Sequence, residues 1–111
     1  MFDLTGRVAL VTGSGRGVGT GIAGVLIEAG AHVFVNDLMP ERAEAVASAL
    51  GANAQPLPFD VASADAVDAA IEHAGPIDIL VNNAGIPPSM RPAQFRSLAR
   101  EEWGPYIDVN L

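Results

Sequence analysis

The strongest constraint on the fold of this chain is a rhythm in its apolar residues. Four apolar runs each end in a polar residue: Val8-Ala9-Leu10-Val11 before Thr12, Val33-Phe34-Val35 before Asn36-Asp37, Phe59 before Asp60, and Ile79-Leu80-Val81 before Asn82-Asn83. A stretch with helical spacing follows each run. The first run does not alternate with polar residues, as expected for a strand covered on both faces. The pattern predicts an α/β fold with a doubly wound parallel sheet. In such sheets ligands bind outside the carboxyl ends of the strands, which is where the polar residues fall.

A length of 111 residues suits one domain, and half of the residues are hydrophobic, enough to build a core. The net charge of -7 argues against nucleic acid and anionic membrane surfaces as partners. There is no cysteine, so disulfides and thiolate metal sites are excluded, and no metal site is expected. The first seven residues, Met1 to Arg7, lack a basic-then-apolar signal pattern. No apolar run approaches the roughly 20 residues that span a bilayer. A soluble, cytoplasmic protein is the expectation.

The first strand is expected over Arg7–Thr12, followed by a glycine cluster from Gly13 to Gly21 and a helix running to Ala29. Val18, Ile22, Val25, Leu26 and Ala29 lie three and four residues apart and should form the buried stripe of that helix, with Gly30 as its stop. A second strand is expected over His32–Asn36. Pro40 can open the next helix at a position where its missing N–H costs nothing. Ala43, Val46, Ala47 and Leu50 supply its apolar face, and Gly51 ends it. The third strand, Ala54–Phe59, holds Pro56 and Pro58. Both missing N–H groups lie on one side of such a strand, so that side must be unpaired and the strand must lie at an edge. Ser63 caps a third helix whose buried face is Val67, Ala70, Ile71 and Ala74, closed by Gly75-Pro76. The fourth strand is expected over Ile77–Asn82. A loop should run from Gly85 to Leu98, and a last helix should start near Ala99 and kink at Pro105. Right-handed crossovers with an edge third strand give the order 3-2-1-4. A crevice should then open between Thr12-Gly13 and Asn82-Asn83.

Thr12-Gly13-Ser14-Gly15-Arg16-Gly17-Val18-Gly19 joins a strand to a helix start. Glycines let a backbone approach a phosphate closely, and a helix N-terminus offers free N–H donors with a partial positive charge. A strict G-x-G-x-x-G occurs only at Gly19–Gly24, inside the helix, and reads as small residues used for packing. Asp37 closes the second strand about 20 residues after the glycines, where a carboxylate can accept both ribose hydroxyls of an adenosine. Asp60 could meet an adenine edge or simply serve the turn before Ser63. Asn82-Asn83-Ala84-Gly85 places two amides beside the crevice, where they can bridge neighbouring strands, and two small residues that leave room for a flat ligand. His32 and His73 lack partners at ligand spacing and read as structural.

Taken together, Thr12 to Gly19, Asp37, Asp60-Val61, Asn82 to Gly85, and Trp103 leading to Val109-Asn110-Leu111 resemble the short-chain dehydrogenase/reductase family from Arg7 to Leu111. The resemblance implies an incomplete Rossmann-type sheet of four strands and a nicotinamide dinucleotide. By that likeness Gly13, Ser14, Arg16, Gly17, Val18 and Gly19 form the cofactor loop. Asp37 would hold the adenosine ribose, Asp60 and Val61 the adenine, and Asn82, Ala84 and Gly85 the nicotinamide side. Asn110 resembles the family's active-site asparagine. NAD is expected rather than NADP, because Asp37 would repel a 2′-phosphate, although Arg16 resembles the NADP-preferring branch.

The resemblance also implies alcohol/carbonyl interconversion on a small-molecule substrate, and a homo-oligomer at full length. The family's Tyr-x-x-x-Lys pair is missing. The chain has no lysine, and Asn110 stands four residues after its single tyrosine, Tyr106. Residues 1–111 are therefore expected to be the dinucleotide-binding region of a protein whose catalytic half lies further on, inactive by themselves. Two other readings stay open: a dinucleotide-binding protein without chemistry, and an α/β domain for another adenosine ligand.

Overall fold

The computed structural model describes residues 2–85. The loop expected from Gly85 to Leu98 lies, past its first residue, outside them, as does the helix expected from Ala99. The elements alternate along the chain: β1 (Val8–Val11), α1 (Gly17–Glu28), β2 (His32–Val35), α2 (Pro40–Leu50), β3 (Ala54–Pro56), α3 (Ala64–Ala74) and β4 (Ile79–Val81). All strand pairs are parallel and the order is β3-β2-β1-β4, as the edge argument requires. Val8 pairs with His32, Ala9 with Ile79 and Val33 with Ala54, so the four strands end nearly level at their carboxyl side.

Side-chain alternation sorts the core into two layers. Ala9, Val11, Val33 and Val35 face Ala23 of α1 and Ala43 and Ala47 of α2. Leu10 and Phe34 point the other way, against Leu57 and Ala70 of α3. Each central strand is thus covered on both faces, which explains its uninterrupted apolar run.

The prolines act as expected. Val33 N–H donates to Asn53 C=O and Leu57 N–H donates to Val35 C=O, both at 2.8 Å. Odd-numbered positions therefore bond to β2, and Pro56 and Pro58 turn their nitrogens outward. Regular pairing stops at Pro56 rather than Phe59, since a second proline leaves the chain little reason to stay in the ladder. Pro40 opens α2, and Ser63 Oγ accepts from Ala66 N–H at 3.2 Å to cap α3.

Two helix faces differ from expectation. Gly19 and Ala23 are the fully buried positions of α1, with Ile22, Leu26 and Ile27 packing at their flanks. Val18 and Val25 are 75% and 66% exposed. The helix is apolar nearly all round, so hydrophobicity alone cannot choose its inner face. Close approach to the sheet chooses it, and only the small residues permit that approach. In α3 the buried residue is Ala70, while Ile71 is exposed. No described helix is long and apolar enough to cross a membrane.

Among the described residues β4 has no strand on its outer side, and Leu80 is 56% exposed. An unpaired apolar edge invites pairing with another chain. The 111-residue chain should therefore self-associate in size-exclusion chromatography, and Leu80→Lys should shift it toward monomer. A monodisperse wild-type monomer with cooperative thermal unfolding would show the edge to be harmless.

Candidate dinucleotide site at the strand ends

The carboxyl ends of the strands are joined by side chains. Thr12 is buried at the end of β1. Its Oγ1 donates to Val81 C=O at 3.3 Å and accepts from the N–H groups of Asn83 and Ala84, each at 3.0 Å. Asn83 Nδ2 returns a bond to Gly13 C=O at 3.2 Å. The β1 turn and the end of β4 therefore touch, closing the base of the expected crevice. Gly13 has φ +63°, and a Cβ on it would lie 2.8 Å from Ala84 Cα. Both the backbone conformation and the space require glycine there.

The two asparagines separate. Asn83 is half-buried and bridges, as expected of both, but Asn82 is exposed. One side chain completes the inter-strand bond, and strand alternation sends its neighbour the other way. Ala84 is half-buried and Gly85 exposed. Asn110 lies outside the described residues.

Glycine spacing shapes the first turn. A Cβ on Gly19 would press on Ser14 Cα at 2.8 Å, and one on Gly15 would lie 2.8 Å from Asp37 Cγ. Ser14 is fully buried and its hydroxyl points inward. It donates to Val11 C=O at 2.7 Å and accepts from Asn36 N–H at 3.1 Å. What the turn presents outward is backbone together with the exposed Arg16, Gly17 and Val18. α1 begins here with no side-chain cap and no acidic residue in its first turn. Its leading N–H groups are thus left for a ligand or water.

Asp37 lies directly over this turn and is only 7% exposed. Oδ1 accepts from Met39 N–H at 2.9 Å, whereas Oδ2 accepts no hydrogen bond among the described residues. A buried carboxylate oxygen without a donor is unusual, because such groups normally find partners. Asp60 is exposed and uses Oδ1 for Ala62 N–H at 2.9 Å, the turn role weighed for it, with the half-buried Val61 beside it.

Asn36, not singled out from the sequence, joins three chain segments of the site through one side chain. Oδ1 accepts from Gly13 N–H at 3.1 Å, and Nδ2 donates to Leu57 C=O and Phe59 C=O at 3.1 Å each. Its signal was a second polar residue beside Asp37, at the end of a strand buried on both faces.

A shallow apolar depression of about 510 Å³ lies elsewhere, on the outer face of α1 between Val18, Ile22, Val25 and Leu26. It has no polar group to orient a ligand. No cluster of potential metal ligands occurs among the described residues.

A family model described as short chain dehydrogenase matches residues 7–111. The chain is 41% identical over 117 residues to the 5-keto-D-gluconate 5-reductase of Escherichia coli K12, covering 99% of this chain and 45% of that one. It is 41% identical over 114 residues to the 2,3-dihydro-2,3-dihydroxybenzoate dehydrogenase of Bacillus subtilis, covering 96% and 42%. Among solved structures, a gluconate 5-dehydrogenase from Burkholderia cenocepacia in complex with NADP and tartrate matches with TM-score 0.86 and 44% identity over 99% of this chain and 45% of that one. A 3-ketoacyl-(acyl-carrier-protein) reductase from Brucella melitensis complexed with NADH matches with TM-score 0.83 and 37% identity, over 98% and 46%. The chain spans less than half the length of these relatives.

Two glycines separate strain from propensity. Gly13→Ala should lower the thermal midpoint sharply, through both positive φ and backbone overlap. Gly21→Ala, whose Cβ would meet open space, should be neutral or stabilising by about 0.5–1 kcal/mol. Equal midpoints for the two variants would contradict the geometry.

Proposed function

The chain belongs to the short-chain dehydrogenase/reductase family, and on that premise we propose that it is the dinucleotide-binding region of an oxidoreductase interconverting an alcohol and a carbonyl. The observation that carries this reading is Asp37 Oδ2, without a donor among the described residues and buried over a glycine turn that leads into an uncapped helix. A cofactor with a ribose diol beside a pyrophosphate suits that pair. The diol supplies donors to Oδ2, and the pyrophosphate supplies acceptors to the N–H groups at the start of α1. The absence of a side chain at Gly15 lets the Asp37 carboxylate pack directly against the turn, so diol and diphosphate would bind side by side.

Each residue has a task in this reading. Gly13, Gly17 and Gly19 shape the loop, and Ser14 acts through its backbone because its hydroxyl is turned inward. Arg16 and Val18 flank the entrance. Asp60 and Val61 border the adenine, and Asn82, Ala84 and Gly85 border the nicotinamide, whose ring exchanges a hydride with the substrate carbon when bound. Asn110 would support the proton relay. The named relatives act on different compounds, so the substrate is defined here only as an alcohol or carbonyl. The complete protein would be a homo-oligomer in the cytoplasm.

NAD is the preferred cofactor. The relatives supply both precedents, NADP in one complex and NADH in the other. Asp37 decides the preference, since its carboxylate would meet the 2′-oxygen, whereas Arg16 is solvent-exposed and its attraction to a phosphate is weakened by water. Fluorescence titration should show tighter binding of NADH than of NADPH. Asp37→Ala should weaken NADH binding by roughly tenfold or more, the equivalent of one charge-assisted hydrogen bond of about 1.5–3 kcal/mol. Equal or tighter NADPH binding by the wild type would overturn the preference, and binding of neither would overturn the dinucleotide reading.

The chain without a Tyr-x-x-x-Lys pair should transfer no hydride by itself. Consumption of NADH by the pure 111-residue chain with any carbonyl substrate would refute this. Binding without turnover also fits a non-catalytic dinucleotide binder, the alternative reading. Hydride transfer by a longer form of the protein would exclude it.

A further inference from the structure

We propose that Asn36 is a positioning residue that sets the spacing between the glycine turn and the adenosine end of the site; this rests on the dinucleotide reading above. The side-chain amide is 1% exposed and lies where three chain segments meet. Its acceptor takes Gly13 N–H from the turn, and its two donors take Leu57 C=O and Phe59 C=O from the segment that leads to Asp60. Its own backbone is also engaged. Asn36 N–H meets Ser14 Oγ at 3.1 Å, and Asn36 C=O accepts Ser14 N–H at 2.7 Å. Asp37 is the next residue.

One planar amide thus holds the turn, Asp37 and the approach to Asp60 in a fixed relation. The arrangement needs one acceptor and two donors on a short stem. Aspartate has no donors when ionised, leucine has neither group, and glutamine is one carbon longer. The amide orientation is dictated by its neighbours, because only one places nitrogen against two carbonyls and oxygen against an N–H. β3 needs this tether especially. Its ladder stops at Pro56, one further bond runs from Leu57 N–H to Val35 C=O, and Pro58 offers no N–H, so the amide is what extends the tether to Phe59 C=O. Without it, Asp60 and Val61 could move relative to the turn without disturbing the central pair of strands.

The test compares Asn36→Ala with Asp78→Ala and wild type. Asp78 accepts Val8 N–H at 2.8 Å and pairs weakly with Arg7, at the opposite end of the same sheet. Its loss weakens strand pairing without touching the site. NADH is titrated by fluorescence at a temperature where circular dichroism shows all three proteins folded. The expected result is a loss of tenfold or more in NADH affinity for Asn36→Ala and less than twofold for Asp78→Ala. Wild-type affinity in Asn36→Ala, or equal losses in both variants, would overturn the proposal. Should Asn36→Ala not fold, solvent exchange of the wild-type Asn36 side-chain amide protons is measured by NMR with and without NADH. Slowing of fivefold or more supports positioning, and an unchanged rate overturns it. Failure of the wild type to bind NADH or NADPH would instead remove the dinucleotide reading itself, and this proposal with it.

Discussion

A parallel strand that ends inside a protein leaves backbone N–H and C=O groups pointing sideways with no next residue to pair them. Buried groups of this kind must find partners or cost free energy comparable to a lost hydrogen bond. This requirement governs the carboxyl edge of the sheet. Thr12 completes the end of β1 toward β4, Asn83 returns a bond to Gly13, and Asn36 completes the end of β2 toward both the turn and the β3 exit. Three short polar side chains thus make the strand ends a single rigid floor. The amino ends carry a simpler closure, Asp78 against Val8 N–H, in an exposed setting where water can substitute.

A rigid floor constrains what can lie on it. The turn after β1 must pass between the end of β4 and the start of α1, and no side chain fits at Gly13 or Gly19. Those glycines therefore answer first to the protein's own packing. Gly15 differs only in its neighbour, because the space a Cβ would need there is taken by the Asp37 carboxylate rather than by backbone. A glycine that admits the site's carboxylate thus stands between glycines that admit backbone, which is why a motif search alone cannot assign their roles.

Much of the fold was legible because its signals were physical necessities. Two prolines two residues apart force an edge strand, uninterrupted apolar runs force cover on both faces, and Ser63 and Pro40 mark helix starts by their own chemistry. These gave the strand order and nearly every element, with ends misplaced by a few residues where a strand simply stops pairing. The inner faces of α1 and α3 were legible at Ile22, Leu26 and Ala70 but not at Val18, Val25 and Ile71. Hydrophobicity marks valine and isoleucine as core, but glycine and alanine are the residues that allow close approach. Within the site, Asp37 and the glycine turn were legible from spacing. Asn36 was not, because its importance lies in meeting Gly13 and Phe59, both 23 residues away along the chain.

Asp37 shows how the floor and the ligand site become one object. Oδ1 is committed to Met39 N–H, which fixes the carboxylate plane and turns Oδ2 toward the glycine turn. A flexible carboxylate on a loop could rotate away from an incoming phosphate and tolerate it. This one is tied at Oδ1, buried, and anchored through the adjacent Asn36. In the proposed preference for NAD, discrimination against a 2′-phosphate would come from rigidity as well as charge, because the bond to Met39 N–H opposes a change of rotamer. Arg16, exposed beside it, has no comparable anchor among the described residues. The balance between the two residues depends on how firmly each is held, and it is on that measure that the proposed preference for NAD rests.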